Sequence, residues 1–358
     1  MRLFTSSSKR AFLEDETAFE QNKVIIMCTM TQRERFLATL LGGKADRFPF
    51  FDLVPDDDTL QRWHREGLPR NRTATTYFHL EPHHSVGLTL RSYPFFHMTP
   101  GILDDPSVFA RHYDPDQPAR YAKDFAETSQ QLRRQGRVIY VDASGGGLLQ
   151  MLGVGDWDSL VAACEAMVER PRTVERLVDR ITDFYCVCLE RVLSRVAVDY
   201  ACLYEPIAAN TAPVISPAMF ARFAIPGYRK VLDLLKRFSV PLRILCTTGG
   251  NLTPLLPALI DAGINGLWIS NISSAGMLYP ALRRRFGSHI ALIGGIDATA
   301  LTRDAAAVQK AVADTVPELL AGGRYLPCLD DRPRSHVPLA HYRLYRDLLA
   351  SIAQGGRI

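Results

Sequence analysis

Long apolar runs are missing from this chain of 358 residues. None approaches the ~20 residues that a membrane-spanning helix requires, so no membrane partner is expected. An export signal is not expected either. The segment Val24-Ile25-Ile26-Met27 is too short for a signal core, and Glu14, Asp15, Glu16 and Glu20 flank it. Charge of one sign is scarce: the formal net charge is +4, and the arginines are scattered among acidic residues. Without a basic stripe, nucleic acid drops out as a partner. Cysteines number seven, an odd count spread through a long chain, which does not read as a secreted disulfide framework. A reducing cytoplasm is the expected compartment, with thiols left for metal or catalysis. Gly145-Gly146-Gly147 lacks both the spacing and the lysine of a phosphate loop. The nine histidines form no metal pattern: His79 and His83 would share a helix face, but Pro82 interrupts that helix.

What is present is ordinary globular material. The chain is 47% hydrophobic and 22% charged, enough to bury a large core. Residues 1–29 read as an N-terminal extension, and the body as one domain over 30–358. That body opens at Thr31, where Thr31 and Glu34 spell a capping box ahead of Phe36, Leu37, Leu40 and Leu41. Strand-like runs then alternate with helix-like runs. The strand candidates are 47–53, 86–92, 138–143, 198–205, 242–247, 264–270, 290–296 and 324–328. Several are nearly continuous apolar runs, as strands covered on both faces tend to be. Helices are expected over 172–197, over 219–238 behind the Ser216-Pro217 start, behind Thr253-Pro254 up to Gly263, over 303–320 and over 338–353. Eight strands in this rhythm predict an α/β fold, a (β/α)8 TIM barrel. The stretch 60–135 breaks the rhythm and is expected to hold an insertion or lid.

Function in such a barrel gathers where the strands end. Strand ends place Asp52, Asp142, Tyr204, Glu205, Cys246, Asn271, Asp297, Cys328, Asp330, Asp331 and Arg332 there. Glu205, Asp330 and Asp142 are the catalytic candidates, since a carboxyl in a partly dry cavity gains the raised pKa that proton transfer uses. Asp52, Tyr204, Asn271, Asp297, Asp331 and Arg332 are the substrate-binding candidates. Arg332 suits a carboxylate, or an ion pair with its acidic neighbours. Cys246, Cys328 and Glu205 would together suit Zn²⁺ with a fourth position open to substrate. The alternative for both cysteines is simple burial.

Several stretches resemble the uroporphyrinogen decarboxylase superfamily, which includes cobamide-dependent methyltransferases. They are RERFLATLLGGKADRFPF at 33–50, WxxEGLP at 63–69, VDYACLYE at 198–205, PVISPAMF at 213–220, GNLTPLLP at 250–257, IGGID at 293–297 and GGRYLPCLDD at 322–331. The resemblance spans residues 30 to about 351 and implies a barrel with its site at the strand ends. It also implies a role for Glu205, which matches a family Glu. Two departures matter. Decarboxylases carry an arginine-bearing QAGR stretch after the first strand, and here FDLVPDDD stands at 51–58. Methyltransferases carry His-x-Cys just before the Gly-Asn at 250–251, and here Thr247 and Gly249 take those places. Only Cys246, one residue early, and Cys328 remain as substitutes.

Three readings follow from the resemblance. The favoured one is transfer of a methyl group between a corrinoid or small methylated donor and a small acceptor. In it a corrinoid is substrate or is carried by a partner protein. The second is decarboxylation of a tetrapyrrole or other carboxylic acid, with Asp52 or Asp142 facing a protonated ring and Arg332 holding a carboxylate. The third is a catalytically silent barrel that binds a tetrapyrrole or a partner. A homodimer is compatible with each.

Overall fold

The computed structural model describes residues 30–356, apart from 93, 94, 96, 100, 106, 144, 145, 210 and 248. The expected extension over 1–29 lies outside the described residues. Seven parallel strands form one sheet in chain order: β1 (His83–Ser85), β2 (Val138–Ala143), β3 (Tyr200–Tyr204), β4 (Leu242–Thr247), β5 (Gly266–Ile269), β6 (Ala291–Ile296) and β7 (Tyr325–Leu329). Each strand pairs with the next in sequence, and helices carry most of the crossovers.

The sheet is curled. One face of it feeds a single cluster that includes Val138, Tyr200, Leu242, Ile244, Ala291, Ile293, Leu326 and Cys328. Phe51 stacks on His83 of β1 at 4.1 Å and meets Trp268 of β5 edge-on at 5.4 Å. A flat sheet would hold strands one and five about 19 Å apart at 4.8 Å per step. One phenyl ring touches both only if the sheet wraps around it. Phe36 and Leu40 of the helix Gln32–Leu41 join the same cluster. Phe36 meets His83 and Tyr200, which begin β1 and β3, and the cluster also holds Val138, Leu242 and Ala291, which begin β2, β4 and β6, so this helix plugs the amino end of the curl. The Thr31–Glu34 capping box that starts it forms as expected. The outer face of the sheet packs on the helices. Helix Pro171–Leu193, for example, buries Val174, Val178, Ile181 and Leu189 there.

Two of the eight expected strands differ. Residues 86–92 are not a strand; β1 lies just before them, at 83–85. Residues 47–53 form no ladder, so an eight-stranded closure is not shown. This segment nevertheless lies between β7 and β1. The carbonyl of Phe50 accepts from Glu81 N at 2.7 Å, and Leu329 N donates to Asp52 Oδ1 at 2.9 Å. Phe51 points inward and Asp52 outward, the alternation of a strand. Pro49 has no N–H to give a ladder, and the Asp52 side chain takes the amide of Leu329.

Prolines also explain the helices that split. The expected 219–238 helix is two, Pro217–Phe223 and Ile225–Arg237, parted at Ala224 because Pro226 cannot donate to the preceding turn. The expected 303–320 helix divides into Ala305–Ala313 and Val316–Ala321, with Pro317 opening the second. The helix behind Pro254 begins only at Leu256, and it ends at Gly263 as expected. The described residues of 86–137 form short helices and loops, tied by Arg120. Its buried guanidinium donates to the carbonyls of Arg91, His112 and Asp114.

Candidate active site at the carboxyl end of the sheet

Alternation along the strands decides what faces the interior. On β2 the inward residues are Val138, Tyr140 and Asp142; on β3, Tyr200, Cys202 and Tyr204; on β4, Leu242, Ile244 and Cys246. Depth increases toward the amino end. Val138, Tyr200 and Leu242 are buried, whereas Asp142, Cys202, Tyr204 and Cys246 are partly exposed. These last four therefore stand where the interior opens.

The layer beneath them is aromatic. Tyr140 and Tyr200 stack at 4.9 Å with their planes 6° apart. The hydroxyl of Tyr200 lies 3.0 Å from Nδ1 of His83. Burial pushes the His83 ring down to about 3, so it is a neutral imidazole, while its Nε2 is buried without a partner among the described residues. Burial, reinforced by the negative charge of Asp142, lifts the Tyr140 hydroxyl to about 12. The Asp142 charge also reaches Tyr200 and Cys246. The two sulfurs of Cys202 and Cys246 lie 2.6 Å apart, and this contact with burial pushes the Cys246 thiol upward.

The other sequence-derived candidates do not join this group. Glu205 has the parity of Ala201 and Leu203 and hangs on the outer, helix-covered face of β3. Its Oε2 accepts from Leu148 N and from the hydroxyl of Tyr228, both at 3.0 Å. Burial raises its carboxyl to about 7 against these two donors. Close approach of the following loop is built in here. A Cβ at Gly147 would meet the carbonyl of Tyr204 at 2.5 Å and Glu205 Oε1 at 3.1 Å, so only glycine fits. Zinc on Cys246, Cys328 and Glu205 is thus corrected: the sheet itself separates Glu205 from the two sulfurs. Among the described residues no group of three or more His, Cys, Asp or Glu could hold a metal ion. Cys328 is 1% exposed in the inner cluster, the simple burial that was the alternative.

Asp52 is corrected as a substrate contact. It too faces outward, and its oxygens accept from Leu329 N, Tyr342, Tyr345 and Arg346. Burial pushes its carboxyl up, against the Arg346 guanidinium and three further donors. Asp330 has the inward parity but is 2% exposed. Its two oxygens accept from Ile272 N at 3.0 Å and Ala298 N at 2.8 Å. They thereby cap the short helical turns that follow β5 and β6. Burial lifts this carboxyl to about 6 despite both amides. Asp297 likewise serves its own turn, accepting from Thr299 N and from the Ser273 hydroxyl. Asp331 accepts from Arg332 N and from Arg334. Asn271, in left-handed conformation, and Arg332 are exposed at the rim.

Sequence reading missed Cys202, Tyr140, Tyr200 and His83. Period-two alternation through VIYVDA and YACLY places the first three on the face of Asp142 and would have found them. His83 was hidden by the misplaced second strand.

Residues 149–326 match the family model described as Uroporphyrinogen decarboxylase (URO-D), a span running from just after β2 into β7. No curated protein matches the chain. The matched span contains β3 to β6 with Cys202, Tyr204, Glu205 and Cys246, and on it the chain belongs to the uroporphyrinogen decarboxylase superfamily.

Proposed function

We propose that the chain is an enzyme that decarboxylates an electron-rich carboxylic acid held in the mouth of the curled sheet. Membership of the superfamily supports enzymatic activity in a broad sense. The observation that carries the finer reading is Asp142, a partly exposed carboxylate on the inward face, one layer above the stacked Tyr140 and Tyr200. Of the two aspartates expected to face a protonated ring, Asp52 is buried on the outer face with Arg346 and the tyrosines, whereas Asp142 is partly exposed on the inner face.

The chemistry needs no redox partner. A proton adds to the electron-rich ring beside the carboxylate-bearing carbon, making a cation. The C–C bond to the carboxylate then breaks, its electron pair neutralises the cation, and CO2 leaves. A solvent proton then adds to the carbon that lost CO2 and the ring gives back the proton it first took, so that in sum one carboxylate and one proton give a C–H bond and CO2. A fixed negative charge beside the ring lowers the energy of the cation and acts more strongly in a partly dry site than in water. Arg332, exposed at the rim, would hold a second carboxylate. The test is CO2 release from a panel of aromatic and pyrrole carboxylic acids, uroporphyrinogen included, by the wild type and Asp142→Asn. Release that is equally fast in both proteins would end this reading.

Methyl transfer stands second, and the two thiols turned into the mouth favour it. Cys202 and Cys246 are partly exposed soft donors on the inner face. Loss of methylcobalamin absorbance in the presence of a thiol acceptor, abolished by Cys246→Ser, would move it ahead.

A further inference from the structure

We propose that Cys202 and Cys246 form a reversible disulfide, a redox modification site in the wall of the mouth. In the sheet Cys202 pairs with Ile244 and Tyr204 pairs with Cys246, so the two cysteines are diagonal neighbours on one face. On a flat sheet such a diagonal spans about 7–8 Å between Cα atoms, beyond what a disulfide bridges without backbone movement. This face is the concave one, where side chains of adjacent strands converge. The sulfurs meet at 2.6 Å, well inside the separation of two non-bonded sulfur atoms. Both residues are partly exposed toward the opening, whereas Cys188 and Cys328 are buried. The metal alternative lacks ligands, since no third metal-binding side chain joins the pair among the described residues.

The oxidant is a peroxide. One cysteine, as its thiolate, attacks a peroxide oxygen; the O–O bond breaks, the leaving hydroxide takes a proton, and a sulfenic acid forms. The second sulfur attacks the first, the S–OH bond breaks, and water leaves with the thiol proton. The sum is two thiols and hydrogen peroxide giving one disulfide and two waters. The upward pressure on the Cys246 thiol keeps the thiolate scarce at neutral pH, so oxidation is slow and needs sustained peroxide. A bridge spanning a long diagonal is also one that thiol reductants reopen. Its formation ties β3 to β4 and removes both soft donors from the mouth.

The experiment uses the full chain. Protein is treated with hydrogen peroxide, alkylated, digested and examined by mass spectrometry, with and without dithiothreitol before alkylation. The expected result is a cross-linked peptide joining Cys202 to Cys246, two alkylated thiols fewer, and full recovery after dithiothreitol. Cys202→Ser should carry Cys246 as a sulfenic or sulfinic acid, and Cys328→Ser should cross-link like the wild type. Three outcomes overturn the proposal. One is that both thiols stay alkylatable while Cys164 or Cys186 oxidises. Another is that Cys246 over-oxidises as fast in the wild type as in Cys202→Ser. The third is that both thiols are masked until a chelator is added, which would mean a bound metal.

Discussion

The hydroxyl of Tyr228 donates to Glu205 Oε2 at 3.0 Å, while Glu205 Oε1, just as deeply buried, has no partner among the described residues. The carboxyl is shut into the layer between β3 and the helix Ile225–Arg237. Burial there favours the neutral acid, which lifts its pKa from 4.5 to about 7.

That shift makes stability depend on pH with a definite sign. Between about pH 4.5 and 7 the folded chain keeps a proton that the unfolded chain has lost. Stability therefore falls as pH rises through this window, and the loss is complete above it. Glu205→Gln keeps the acceptor for Leu148 and Tyr228 and removes the charge. Urea unfolding at pH 5 and pH 8 should show the variant gaining on the wild type by about 2 kcal/mol between the two conditions. A constant difference at both pH values would mean that Glu205 is already ionised when folded.

Asp52 and Arg346 form the second buried linkage, 2.9 Å apart with side chains 0% and 6% exposed. Burial opposes the Arg346 charge, but Asp52 outweighs it and holds the guanidinium protonated. Removing one partner strands the other. Arg346→Met should cost about 3–5 kcal/mol in urea unfolding, and Asp52→Asn combined with Arg346→Met less than the sum of the two singles. A substrate-binding Asp52 would behave differently. Its Asn variant would unfold like the wild type and show only a raised KM.

Much of this was written in the strands. Residues 138–143 and 242–247 pair over the lengths their apolar runs announce, because no proline interrupts them. The carboxyl-end positions of Asp142 and Cys246 follow from those boundaries. What stayed hidden was which face each strand-end residue takes. Glu205 and Cys246 look equivalent near the ends of apolar runs, yet one residue of offset sends them to opposite sides of the sheet. The 47–53 segment misled for another reason. Its pattern is that of a strand, but Pro49 and the Asp52 side chain replace ladder contacts, and only tertiary partners reveal that.

Asp330 joins two loops through two hydrogen bonds, to Ile272 N and Ala298 N. Asp330→Ala leaves both amides of the turns after β5 and β6 without their acceptor. The expected cost is about 2–6 kcal/mol of stability, at 1–3 kcal/mol for each orphaned donor. Amide hydrogen exchange should speed up at Ile272 and Ala298 first, before the core strands respond. If Asp330 is instead a proton donor to substrate, exchange at these two amides will be unchanged while activity falls.

Asp142 is the residue on which the proposed reaction turns, and its variant separates chemistry from folding. The side chain is partly exposed, so Asp142→Asn should unfold within about 0.5 kcal/mol of the wild type, as surface changes generally do. The carboxylate acts on a cation that exists only near the transition state, so its loss should appear in kcat and leave KM nearly fixed. Removing one preorganised electrostatic group from an active site lowers kcat by about 10²–10³-fold, and a drop of that size is expected here. Steady-state CO2 release, measured beside urea unfolding, reads both quantities on one preparation. A fall in stability that accounts for the lost activity would make Asp142 a structural carboxylate like Asp52. A rise in KM alone would place it at the substrate's edge, away from the ring that gains the proton.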